Sequence, residues 1–133
     1  VEYSIDNGAC GMAADTVTII FLSFTSLSLG DIAFTGYQSD NPDQFSFVTL
    51  TEINAGTEIS FTENGWLAAS GFNSNEGTIT LTFCNFFACG TEFSVPTGTE
   101  FLTADGDVAG TVAGGSFALS TSGDQIFAYQ GAE

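Results

Sequence analysis

Five oxygen-bearing side chains fall in two short polar stretches of the chain. Asp40, Asn41 and Asp43 lie in "YQSDNPD", and Glu63 and Asn64 in "TENGW". Hard cations such as Ca2+ take about six to eight oxygen ligands, often from flexible loops of this composition. If the strands flanking these stretches simply alternate in direction, both loops lie at one pole of the domain. The five side chains then form a candidate Ca2+ site. The competing reading is that Asp, Asn, Pro and Gly are what turns are made of. No EF-hand spacing is present, and "DGD" at 105–107 and Asp124 read as turns. A carboxylate pair could also run glycoside hydrolysis, with Trp66 beside Glu63 as a sugar platform. Nothing in the sequence singles out one Glu as a raised-pKa acid, and carboxylates are normally solvated. Trp66 is expected to plug one end of the fold instead, and no enzyme is expected.

The chain has no Lys, Arg or His against sixteen Asp and Glu, a net charge of −16. Phosphate contacts are carried largely by Lys and Arg, so nucleic acid is not expected as a partner. Anionic membrane surfaces are disfavoured on the same ground. A His-based triad, a Lys Schiff base and an Arg clamp are all unavailable to the chain, leaving carboxylates, thiols or a bound metal. A total lack of basic residues favours an exported protein over a cytosolic one. With no basic n-region ahead of Val1, the chain reads as a mature product or a fragment. Cys84 and Cys89 flank "NFFA" and are a candidate disulfide closing a small loop, with Cys10 left over. No second ligand pair accompanies them, so zinc is not expected. There is no N-x-S/T sequon; O-linked glycans on the many Ser and Thr remain open.

The elements that must position these residues are strands. "GDIAFTGYQ" alternates Ile32, Phe34 and Gly36 with Asp31, Ala33 and Thr35. "QFSFVTL" sets Phe45, Phe47 and Thr49 against Ser46, Val48 and Leu50. "EISFT" sets Ile59 and Phe61 against Glu58, Ser60 and Thr62, and "TITLTF" sets Ile79, Leu81 and Phe83 against three threonines. Period-two alternation with β-branched and aromatic enrichment, bounded by Gly, Asn and Asp, predicts β-strands. Residues 117–128 read as a hairpin, with Phe117 and Leu119 before the turn "STSGD" and Ile126 and Ala128 after it. Gly-Thr-Glu followed by an apolar residue recurs at 56, 90 and 98, as repeated strand-start chemistry. Sixteen glycines, two prolines and many short strands predict an all-β fold, an antiparallel β-sandwich of Ig-like or jelly-roll-like type.

The stretches "GDIAFTGYQSDNPDQFSFVTLTEINAGTEISFTENGW", "EGTITLTF" and "LSTSGDQ" resemble a β-rich module of secreted and surface proteins of bacteria, particularly cyanobacteria. The module's pattern is GDIAF, a D/N-P-D loop, F-x-FV-x-L, AGT-x-I-x-FTDNGW, EGT and LSTSGDQ, which covers roughly residues 29–131 here. The resemblance implies a secreted β-sandwich without an established catalytic activity. Glu63 stands where the module has Asp. The module also continues past its "DQI" strand, whereas this chain stops at Glu133 and carries residues 1–28 ahead of GDIAF.

Those leading residues hold "TVTIIFLSFTSLSL", residues 16–29, without a charge. A membrane helix needs about twenty apolar residues, so this run is too short to span, and its Ser, Thr and β-branched content favours a strand. Val17, Ile19 and Phe21 take one face; Ile20, Leu22 and Phe24 take the other. Both faces must be covered, because a bare apolar edge strand invites aggregation. Either the strand lies in its own sandwich or it is donated to a neighbour's open groove. The second reading is adopted: an arm at 1–28, with a donor strand over about 16–28, ahead of a sandwich domain at 29–133. A head-to-tail exchange does not close on itself, so it generates a filament. The expected function is an extracellular structural subunit whose partner is another copy of itself. The alternative is a monomeric secreted module binding carbohydrate or calcium.

Overall fold

The computed structural model describes the backbone of residues 4–5 and 13–14 and all of residues 23–115 and 117–131. β1 (Ser4–Ile5) pairs antiparallel with β2 (Ala13–Ala14), apart from the rest. The body consists of β3 (Ile32–Gln38), β4 (Gln44–Thr49), β5 (Glu58–Thr62), β8 (Thr78–Phe83), β9 (Glu92–Val95), β10 (Glu100–Thr103), β11 (Val108–Gly114) and β12 (Phe127–Tyr129). These eight form one antiparallel sheet in the order β12-β5-β8-β11-β10-β9-β4-β3. A small hairpin, β6 (Trp66–Leu67) with β7 (Gly71–Phe72), stands outside it. Among the described residues no helix is long and apolar enough to cross a membrane.

The all-β antiparallel fold expected from period-two patterning is present. The alternation does what its physics requires: Phe45, Phe47, Ile59, Phe61, Ile79, Leu81 and Phe83 are all buried. The sheet curls until its halves face one another. Phe47 of β4 meets Phe61 of β5 at 4.9 Å between ring centroids, and Phe83 of β8 meets Phe93 of β9 at 5.2 Å, though neither pair of strands is adjacent in the sheet. Those spacings are the favourable range for tilted and edge-to-face rings. The result lies between a sandwich and a nearly closed barrel.

Two details depart from simple alternation. A β-bulge in β3 leaves Thr35 without a partner between Phe34↔Phe47 and Gly36↔Ser46. Bulges re-aim the side chains beyond them. Tyr37, rather than Gly36 or Gln38, then lies opposite buried Phe45. Thr62, expected on the outer face, is fully buried. Its hydroxyl donates to Gly77 O (2.9 Å) and accepts from Thr78 Oγ1 (2.8 Å), which satisfies it there. Gly110 has a steric cause: a Cβ there would sit 2.0 Å from Thr82 O and against the Phe101 ring.

The expected hairpin over residues 117–128 does not form. Among the described residues, 117–126 pair with no strand, and Phe127–Tyr129 joins the sheet beside β5. The core positions within it were nonetheless legible. Leu119 is buried, and Phe117, Ile126 and Ala128 pack against the core. Side-chain anchors replace the missing ladder.

Candidate functional site

Eight strands make a sheet with two edges, here β3 and β12. They run in opposite directions. β3 starts, and β12 ends, at what is termed the lower pole, with residues 50–57, 84–91 and 104–107; the upper pole holds residues 39–43, 63–77, 96–99 and 115–126. Between the two edges lies a cleft of about 500 Å3, lined by Leu27, Ile32, Phe34, Ile126, Ala128 and neighbouring backbone. Its walls are mainly apolar. Phe34 remains 44% exposed there although it makes edge contacts with Phe45 and Phe61, each at 6.0 Å. Leu29, at the cleft's lower mouth, is fully exposed.

Hydrogen bonds cross the cleft's ends. Leu27 N donates to Gln130 Oε1 (2.8 Å) at the lower end, and Tyr37 Oη donates to Ser120 O (3.4 Å) at the upper end. The Thr35 bulge is what turns Tyr37 toward Ser120. An edge whose apolar side faces solvent is a site for strand addition.

The segment leading into β3 is bound to the lower pole. Asn54 Nδ2 donates to Ser23 O (2.8 Å), Thr25 N to Thr57 Oγ1 (2.9 Å), and Thr25 Oγ1 to Glu52 O (3.1 Å). Gln130 Nε2 donates to Thr25 O (3.0 Å) and to Glu58 O (2.9 Å). Residues 23–28, assigned to the arm from sequence, are therefore bonded to the body. Phe24 lies over Gly56 and is 69% exposed. Val17, Ile19, Ile20, Phe21 and Leu22 lie outside the described residues.

Compared with known protein families, curated proteins and solved structures, the chain matches none.

The upper pole brings part of the expected oxygen cluster together. Asp43 Oδ2 accepts from Leu119 N (2.9 Å), and Glu63 accepts from Ala118 N (3.1 Å) and Gly77 N (2.9 Å). The two carboxylates thus seize consecutive amides of residues 117–119, and Gln125 Nε2 donates to Glu63 O. Asn64 Oδ1 accepts from Glu76 N (2.8 Å). Asp40 and Asn41 are exposed, and Gln38 Nε2 stitches their loop by donating to Asp40 O (3.1 Å) and Pro42 O (3.2 Å). Among the described residues no three Cys, Asp or Glu side chains gather to hold a metal. Burial pushes the Glu63 carboxyl up from its ordinary value; the two backbone bonds pull it down, and Asp124 and Glu76 push it further up. An apolar pocket of about 270 Å3 at the same pole, between Phe45, Val95, Val112 and Phe117, has Asp43 at its rim, already engaged by Leu119.

The cysteine expectation is corrected. Cys84 and Cys89 are free, exposed thiols. Between them Phe87 forms a bridge with Ile53, exchanging both backbone bonds (2.9 and 2.8 Å), and packs on Phe83 and Phe93. The chain pairs outward with Ile53 instead of folding back on itself, and Cys84 Sγ donates to Ala109 O (3.1 Å). Trp66 plugs nothing. It is 59% exposed on the outer hairpin, edge-on to Phe72 at 5.0 Å, and Phe72 packs on Phe127 and Tyr129. Since Ala128 packs on the core, those two rings belong to β12's outer face. Sequence reasoning missed Gln125 and Gln130. No local pattern marks a glutamine whose amide partners lie far away along the chain.

Proposed function

We propose that the chain is a non-catalytic structural subunit of an extracellular bacterial filament, polymerising head-to-tail by donation of residues 16–22 to the cleft of the next copy. One observation carries this reading: among the described residues, both edges of the eight-stranded sheet border one apolar cleft. A strand laid there gains main-chain bonds from an edge and buries Phe34, Ile32 and Ile126 together with its own side chains.

The donor's composition suits the place. Ile20 and Leu22 alternate with Ile19 and Phe21, so one set enters the cleft and the other faces out. Outside, the Trp66, Phe72 and Tyr129 aromatics flank β12 and offer apolar cover for the outer set. Residues 16–22 also equal β3 in length, both being seven residues. The charge of −16 and the missing basic residues support export and argue against nucleic acid or membrane partners.

Negative-stain microscopy of the intact chain, with sedimentation across concentration, tests the proposal. Regular filaments are expected. A monomer at every concentration, with residues 16–22 protected from hydrogen exchange, overturns it in favour of self-insertion. A monomer that binds a glycan array through Trp66 favours the carbohydrate-binding alternative.

A further inference from the structure

The upper mouth of the curled sheet holds a second cavity, which shares no lining residue with the β3–β12 cleft. Its floor is core. Phe45 near the start of β4, Ile79 near the start of β8 and Val95 at the end of β9 are each at most 6% exposed. Val112 of β11 and Phe117 form the walls, and the Phe117 ring lies 5.4 Å from that of Phe45. Phe117 is held there because the next two amides are clamped, Ala118 N by Glu63 and Leu119 N by Asp43. Gly98 and Gly115 line the mouth without side chains and leave it open to solvent. The cavity measures about 270 Å3. An apolar cavity of about 150 Å3 is enough for benzene, so this one has room for a ring with a short tail.

The polar groups at the mouth are of one kind. Asp43 Oδ2 accepts from Leu119 N, but a carboxylate has about four acceptor sites, so Oδ1 keeps capacity for a further donor. Donors, by contrast, are committed. Thr97 Oγ1 donates to Asp43 O, Gly115 N donates to Thr78 O, and Pro96 has no N–H to offer. No basic side chain can receive an anion, because the chain contains no Lys, Arg or His.

We propose that this cavity binds a small primary amine with an apolar body, of the size of 2-phenylethylamine. The ring displaces water from Phe45, Val95, Val112 and Phe117, and the ammonium donates to Asp43 Oδ1 at the mouth. Apolar burial supplies the affinity. The charge-assisted bond fixes the orientation and selects the amine over an acid of the same shape. This site stands or falls independently of strand donation.

Equilibrium dialysis of the intact chain against 2-phenylethylamine, 2-phenylethanol and 3-phenylpropionate tests it, at about 0.15 M salt to screen loose counterion binding. The amine is expected to saturate at one molecule per chain, the alcohol to bind about tenfold more weakly, and the acid not to be retained. Val112→Phe leaves the charge unchanged and fills the cavity, so amine affinity should fall at least about tenfold. Gly115→Leu adds bulk at the mouth and should act in the same direction. The backbone there needs no positive φ, and a Cβ would meet only Thr78 O at 4.0 Å, so this variant serves if Val112→Phe does not fold. Asp43→Asn keeps an acceptor for Leu119 N while removing the charge, and should bring the amine down to the level of the alcohol. Amine binding unchanged in the space-filling variants, with the circular dichroism of the wild type, means counterion binding to the acidic surface and overturns the proposal. Equal retention of amine and acid, or no saturable amine binding, overturns it as well.

Discussion

The two ends of the β3–β12 seam make different use of the same raw material. At the upper pole, polar side chains are spent: Asp43 and Glu63 hold the amides of Leu119, Ala118 and Gly77, and Gln125 donates to Glu63 O. Along the cleft, apolar side chains are unspent: Phe34 is half open and Leu29 is fully exposed. Saturated groups hold a fold together, whereas unsaturated ones seek a partner. In this chain the acidic loops that look most like chemistry serve as clamps, and the apolar gap is where the proposed function is placed.

The largest effect should come from removing what the cleft is proposed to receive. Deleting residues 1–22, while keeping the anchored segment from Ser23, should abolish polymerisation and leave a folded body. Adding a synthetic peptide of residues 15–22 should then raise its melting temperature, because a ligand bound only by the folded state stabilises it. Within the intact chain, Ile20→Asp places a charge in an apolar groove at a cost of several kcal/mol, roughly 2–5. Filaments should vanish at all accessible concentrations, with the circular dichroism of the sheet unchanged.

A paired substitution sharpens the contrast between core and cleft. Phe61 has no exposure and touches Phe34, Phe45 and Phe47. Phe61→Ala should cost the isolated body about 3–5 kcal/mol in denaturant unfolding. Phe34→Ala should cost it about 1 kcal/mol, since much of that ring is already wet, yet it should weaken binding of the 15–22 peptide about tenfold. Equal effects of both changes on the body would mean that the cleft is ordinary core.

The clamp should respond more modestly. Glu63→Ala leaves the Gly77 and Ala118 amides without their acceptor, at about 1–3 kcal/mol. Burial raises the folded-state pKa of Glu63, so the folded protein holds this proton more tightly than the unfolded chain does. That stabilisation is complete below the ordinary glutamate value and is lost as pH rises through the raised one. Melting temperature should therefore fall with rising pH across this window, and Glu63→Gln should flatten that component relative to the wild type.

The smallest expected effect is none. With Asp43 and Glu63 engaged by backbone amides, EDTA at constant ionic strength should leave the melting temperature unchanged. A drop of several degrees would support the Ca2+ reading of Asp40, Asn41, Asp43, Glu63 and Asn64. Ionic strength must be held fixed because a charge of −16 on one small domain makes stability sensitive to screening.

Local physics made the strands readable from sequence. Side chains alternate across a pleated strand, so Phe45, Phe47, Ile59, Phe61, Leu81 and Phe83 declared their burial by spacing alone. The common pole of the Asp43 and Glu63 loops followed from the simple alternation of strands, and both do reach one segment. The absence of basic residues is what argues against nucleic-acid partners, and it is legible without any fold.

Tertiary structure decided everything that depends on residues distant along the chain. The spacing of Phe117, Leu119, Ile126 and Ala128 indicated burial but not whether a ladder or two carboxylates would hold the segment. Cys84 and Cys89 are close in sequence, yet the pairing of Phe87 with Ile53 directs the chain between them outward. The bulge at Thr35 re-aimed Tyr37, and Gln130 tied the 23–27 segment to the lower pole. Above all, whether the eight strands would close was not written in any one of them. Closure depends on how sheet curl, summed over every strand, brings the first and last edges together. That sum left β3 and β12 apart, with apolar side chains between them.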